Sequence, residues 1–245
     1  MVAPIEERLK FFVFIIESPS AVDLYHGSTE GEMIRQAVGL NAIRSASKIA
    51  VNSEAFEAAI RIGLREEMEA NPGLVPVLHI SAHGDSEGIQ LSSGEVLSWN
   101  HLRELLVPLN AALNGTLLVC MSTCEGYSGI RMAMTTGQEQ PHPYYAIVGN
   151  GSKPTWPETA VAFATLYHLL ANGHYIGDAV DAMRIASGNK RFLYDTAEGV
   201  KKGYLEYLSS VDVESAVEEL KEEGHRAENE GELTKLIRED CGAAR

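Results

Sequence analysis

Cys124 and His83 are the two side chains whose type and placement could carry covalent chemistry. Each follows a short apolar segment. Residues 74–81 (LVPVLHIS) run into Ala82-His83-Gly84-Asp85, and residues 115–121 (GTLLVCM) run into Ser122-Thr123-Cys124-Glu125-Gly126. A thiolate attacks a carbonyl carbon; a thiol does so poorly. A reactive cysteine therefore needs a base within hydrogen-bond reach or a depressed pKa. An imidazole can take the thiol proton and later return it to a leaving amine. Cys124 falls just before a helix-like stretch at 127–135, where free amides and partial positive charge favour a thiolate and the oxyanion that follows. Gly84 has no side chain, so its N–H could pair with that of Cys124 as an oxyanion hole. A single cysteine is usually core packing and a single loop histidine usually structural. The argument rests on the two standing together at the ends of two buried strands. Cys120, inside LLVCM, is assigned to packing and His79 to a structural role within its strand.

The elements that must hold this pair follow from periodicity and punctuation. Residues 11–16 (FFVFII) read as a buried strand ending at Glu17-Ser18-Pro19. Helical spacing covers residues 30–43, and residues 48–51 read as a short strand. Asn52-Ser53 reads as a cap for a helix at 54–70, ended by Asn71-Pro72-Gly73. Residues 88–98 read as a hairpin, 99–113 as a helix interrupted near Pro108, and 145–149 as a fourth buried strand. Helices follow at 155–170 and 176–187, and 191–194 reads as a late strand or a helix start. Strands alternating with helices predict a mostly parallel α/β sheet covered on both faces. In such sheets the site lies beyond the carboxyl ends of the strands.

Composition narrows the partners. The 245 residues are 45% hydrophobic, enough for one substantial core, and carry a formal charge of −14. An acidic surface disfavours nucleic acid and anionic lipid and suits a cationic polypeptide. No leader and no membrane-spanning run is expected, and three unpaired-looking cysteines fit a reducing cytoplasm. The cysteines lack zinc-ligand spacing, so neither a metal nor a cofactor is expected. Two rival motifs fail. Cys124 to Arg131 is C-x6-R, one residue too long for a phosphatase loop, and residues 149–154 (GNGSKP) do not make a phosphate-binding loop. The division expected is a catalytic domain over 1–210 and an acidic helical tail over 211–245.

The segment 78–102 (LHISAHGDSEGIQLSSGEVLSWNHL) resembles the His-Gly segment of caspase-like proteins. The segment 117–129 (LLVCMSTCEGYSG) resembles the nucleophile segment of CHAT proteases, and residues 146–186 resemble the region that follows it. The resemblance implies a caspase-like three-layer sandwich and cysteine endopeptidase chemistry with His83 and Cys124 as the dyad. It implies a protein or peptide substrate, and a regulated effector in a prokaryotic defence or cell-death system, held by a regulatory partner protein. A non-catalytic caspase-like adaptor is the alternative. Thr123 stands where the family usually has alanine. Ser122 stands where relatives that cut after Lys or Arg carry Asp. In this fold the loop after the first strand helps form the specificity pocket, which makes Glu17 the candidate for a basic or neutral P1 preference, with Asp23 further on. A solvated or capping role is the competing reading for Glu17. Ser122 and Asp85 complete the expected substrate-binding set, and Asp85 could equally orient His83.

Overall fold

The structure, a computed structural model, describes residues 10–27, 29–137 and 139–210. The chain divides into two compact units, Met1–Lys202 and Gly203–Arg245. The tail expected over 211–245 lies outside the described residues.

Strand β1 (Phe11–Ser18) explains the architecture by its side chains alone. All eight residues are buried. Successive side chains point to opposite faces of a strand, so an unbroken apolar run needs cover on both sides. Phe12, Phe14 and Ile16 enter one core, and Phe11, Val13 and Ile15 enter the other. The first core is roofed by Phe56, Ile60 and Leu64, from a helix running through α3 (Ser53–Ala58), a π-helical turn (Ala59–Leu64) and α4 (Arg65–Ala70), together with Leu102 and Leu106 of α5 (Trp99–Ala112). The second is roofed by α2 (Glu30–Gly39), α6 (Trp156–Ala171) and α7 (Ile176–Ser187) through Ile34, Phe163 and Val180. Short α1 (Ala21–His26) follows β1 and buries none of its residues.

The main sheet also contains β2 (Arg44–Ile49), β3 (Val75–Gly84), β6 (Leu118–Ser122), β7 (Ala146–Asn150) and β8 (Phe192–Thr196), in the order β2-β1-β3-β6-β7-β8. The first five are parallel, and β8 pairs antiparallel to β7. This is the mostly parallel, three-layer α/β arrangement expected. The strand β4 (Gly88–Gln90) pairs antiparallel with the far end of β3 and with β5 (Val96–Ser98). The last helix described, α8, begins at Ala197.

Four boundaries differ from the sequence reading. The edge strand β2 starts at Arg44 rather than residue 48, because its half-exposed, polar residues give no apolar signal. Helix α2 stops at Gly39, short of residue 43. Helix α5 runs through Pro108 without a break, since that residue faces solvent and the carbonyl it leaves without a donor lies on the wet side. The helix after Cys124 is a 3-10 helix, Gly126–Ala133, that starts two residues beyond the cysteine. Among the described residues no helix is long and apolar enough to cross a membrane.

Candidate active site

Register decides what meets at the carboxyl edge. Glu17 of β1 lies beside Ser81 of β3, and Ser81 beside Ser122 of β6. One pleat inward, Ile15, His79 and Cys120 form the next row. Beyond the outer row lie His83, next to last in β3, and Cys124, two residues past the end of β6, and both line one cleft of about 240 Å³ with Glu17, Asp23, Glu30, Ser81, Ser122, Thr123 and Trp156.

His83 does not sit in a loop. Strand β3 continues past the parallel sheet, and His83 pairs with Gln90 of β4, so an antiparallel extension holds the backbone of the imidazole. The ring is 59% exposed, and Nε2 lies 4.0 Å from Oδ2 of Asp23. Asp23 is itself fixed, because its Oδ2 accepts from the backbone N–H and hydroxyl of Ser20 in a capping box.

Cys124 sits in a tight turn between β6 and the 3-10 helix. Glu125 adopts a left-handed backbone, φ 52°, and its N–H bonds to the Ser152 carbonyl at 2.7 Å. Gly126 is compulsory there: a Cβ would lie 2.6 Å from Thr123 Oγ1 and 2.8 Å from Met121 Cβ. Gly84 has a different reason to be glycine. A Cβ on it would come within 2.8 Å of the Cys124 carbonyl oxygen, so the His83 strand and the Cys124 turn are in backbone contact. A latch closes the same junction from outside. Arg131 of the 3-10 helix donates to the Ser86 carbonyl at 2.8 Å and to Glu87 at 3.0 Å, and the Trp99 indole donates to the same carbonyl.

The electrostatics of the thiol differ from the sequence expectation. Partial burial pushes the Cys124 thiol up; the charge of Lys153 pulls it down, and Glu125 pushes it up again. With burial the largest influence, the resting group is a thiol. Attack therefore needs a base at the moment of reaction.

Glu17 lines the cleft, but its carboxylate is committed. Oε1 accepts from the Glu30 N–H, and Oε2 accepts from the Gly31 N–H at 3.0 Å. It thereby caps α2, whose N-cap residue Thr29 makes no side-chain cap bond. Burial raises Glu17 despite those two amides. Ser122 faces the cleft, and its hydroxyl donates to Glu30 at 2.7 Å. Asp85 is outside the cleft: its Oδ1 accepts from the N–H groups of Glu87 and Gly88 and closes the 85–88 turn. Asp85 instead lines the adjoining cavity, with His83, Gly84 and Gln90.

The residue that sequence reasoning missed is Glu30. It opens α2, is 3% exposed, and accepts from Ser81 at 2.5 Å and from Ser122 at 2.7 Å. Burial raises it to about 7, against the pull of those two hydroxyls. The available signal was Glu30-Gly31 at a helix start. A Cβ on Gly31 would fall 2.7 Å from Glu17 Oε2, so α2 lies directly on β1 and brings Glu30 with it.

No protein-family profile and no curated protein sequence matches this chain. Solved structures do. A secreted cysteine protease from Bacteroides thetaiotaomicron, in complex with an irreversible peptide inhibitor, has a TM-score of 0.50 at 6% identity over 78% of this chain and 67% of that one. The Arg-specific cysteine proteinase gingipain R has a TM-score of 0.44 at 12% identity, covering 76% of this chain and 45% of its own. The complex of Porphyromonas gingivalis RgpB pro- and mature domains gives 0.45 at 12% identity, with 78% and 50% covered. The chain thus spans about half the length of the two gingipain chains. The similarity to the Bacteroides enzyme shows the fold alone, a caspase-like α/β fold.

Proposed function

We propose that this chain is a cysteine peptidase acting on protein or peptide substrates, with Cys124 as nucleophile and His83 as its base. The observation that carries the reading is that His83 and Cys124 line one cleft at the carboxyl edge of adjacent parallel strands. In this reading Cys124 Sγ attacks the scissile carbonyl carbon as its proton passes to His83. The tetrahedral oxyanion is held by the amides of Gly84 and Cys124. His83 then protonates the leaving amine, the acyl-enzyme forms, and water activated by His83 releases the acid. Asp23, beside His83 Nε2, would orient the ring.

A cationic side chain before the cut bond suits the acidic cleft, in which Glu17 and Asp23 form part of the wall. The His-Gly and cysteine segments favour a CHAT-like relative, and with it a regulated effector of prokaryotic defence or cell death controlled by a partner protein. Cys124→Ala is expected to lower peptide cleavage by at least about 10³-fold while leaving the melting curve intact. Normal turnover by that variant ends the assignment. The adaptor alternative draws on the resting thiol of Cys124. Covalent capture of Cys124 by a peptide carrying an acyloxymethyl ketone separates the two.

A further inference from the structure

Three carboxylates line the cleft, and they are not equivalent. Glu17 spends both oxygens on the amides of Glu30 and Gly31. Asp23 is 44% exposed and tied to Ser20. Glu30 is buried and accepts only hydroxyl protons, one from Ser81 and one from Ser122. A serine hydroxyl has one proton and two lone pairs. With both protons spent on Glu30, the two Oγ atoms are left as acceptors, beside a carboxylate that is acceptor-only when ionised. With Glu30 ionised, which is favoured above about pH 7, the floor therefore offers acceptors and no donor.

Among the described residues no cation pairs with Glu30, and the positive charge felt in the cleft, that of Lys153, acts on Cys124. Among the described residues no Lys or Arg lines the cleft. Beneath Glu30 lies His79, fully buried, with Nδ1 2.7 Å from Tyr167 Oη. When Tyr167 donates to Nδ1, the proton of the neutral ring is on Nε2. That atom has no hydrogen-bond partner among the described residues and faces Glu30 Oε1 at 3.8 Å. Burial keeps His79 uncharged, so it presents a dipole rather than a counter-cation to Glu30.

We propose that Glu30 is the specificity-determining residue of the cleft, reading a lysine side chain of the substrate through the acceptor-only floor it builds with Ser81 and Ser122. An ammonium has three donors and no acceptor, which matches one carboxylate and two hydroxyl oxygens. A guanidinium fits less well, because its planar fork wants both oxygens of a free carboxylate, and each Glu30 oxygen already carries a serine. Acidic and amide side chains would place an acceptor against acceptors. The proposal rests on the peptidase reading only in taking this lysine as the residue before the cut bond.

The test uses the full chain and coumarin-amide peptides that differ only at that residue. Norleucine keeps the stem of lysine and lacks the ammonium. Wild-type kcat/KM is expected to favour lysine over norleucine by roughly 10- to 100-fold, with arginine between them. Glu30→Gln should bring the lysine-to-norleucine ratio to within about threefold by lowering the lysine value alone. If that variant fails to fold, Ser122→Ala, which keeps the strand, should lower the ratio several-fold. A folded variant that keeps the wild-type ratio, or a wild type without lysine preference, overturns the assignment of Glu30 and leaves the peptidase reading standing. Absence of all turnover together with an unlabelled Cys124 sinks the peptidase reading. Calorimetry of Cys124→Ala protein with acetyl-lysine amide and acetyl-norleucine amide then still judges Glu30: tighter lysine binding supports it and equal affinities overturn it.

Discussion

The chain carries two Cys–His pairs along β3 and β6, one within the strands and one toward and beyond their carboxyl ends, and the contrast between them shows what burial does to the same two residue types. His79 and Cys120 are direct neighbours across β3 and β6. His83 and Cys124 stand four residues further along each chain. The inner pair is sealed between sheet and α6: both residues are fully buried, His79 edges onto the Phe163 ring, and Tyr167 bonds to His79. Burial takes His79 down to about 3 and the Cys120 thiol up to about 12, so neither ionises at neutral pH. The outer pair opens onto the cleft, where His83 is largely exposed and Cys124 is partly so. Residue type is shared; solvent access and the surrounding charges set the two pairs apart.

The largest expected difference is in alkylation. Iodoacetamide on the folded protein, followed by peptide mapping, should modify Cys124 at least about 100-fold faster than Cys120, whose exposure requires unfolding. The Cys124 rate should still climb as pH passes the ordinary thiol range, since its thiol is pushed up. Comparable labelling of the two cysteines would erase the contrast.

Next comes the pH dependence of stability. Glu30 is raised from 4.5 to about 7 in the fold, so its contribution is full below about 4.5 and is lost as pH rises through about 7. His79 is lowered from 6.5 to about 3, so its contribution is present above about 6.5 and is lost as pH falls toward about 3. Between roughly pH 4.5 and 6.5 the two slopes oppose, each on the order of 1.4 kcal/mol per pH unit. Glu30→Gln should remove one slope and make urea-measured stability fall with acid across that window. A parallel downward shift of the whole profile would mean that Glu30 does not titrate there. His79→Phe should do the reverse, giving a protein that gains stability as the pH drops.

The smallest expected effect comes at the junction of the pairs' two strands. Gly84→Ala forces a Cβ to 2.8 Å from the Cys124 carbonyl oxygen, and backbone cannot swing away as a side chain would. A loss of about 1–3 kcal/mol in denaturant titration is expected, with kcat falling more than KM rises. An unchanged kcat would mean that the backbone contact does not hold the cysteine turn.

Much of the fold was legible because it rests on local rules. The unbroken run at 11–16 demanded cover on two faces, and β1 has it. Asn52 reads as a cap, and its Oδ1 accepts from the Ala55 N–H. The hairpin around residues 92–94 and the two late helices follow from turn residues and periodicity. The edge strand β2 escapes the apolar pattern because an edge needs no apolar face, and the five residues of the antiparallel partner β8 fit a strand and a helix start alike.

By itself, then, the sequence determined a two-faced, mostly parallel sheet and the arrival of a histidine and a cysteine at strand ends. Tertiary structure alone decided which carboxylates face the cleft and what each does there. Glu17 is taken by the amides of α2, Asp85 by its own turn, and Glu30 reaches Ser122 across 92 residues of chain. The reason is physical. A strand's register and a helix's seat are set by packing among segments distant in sequence, and a one-residue slip would turn Glu17, Ser81 and Ser122 to the opposite face of the sheet.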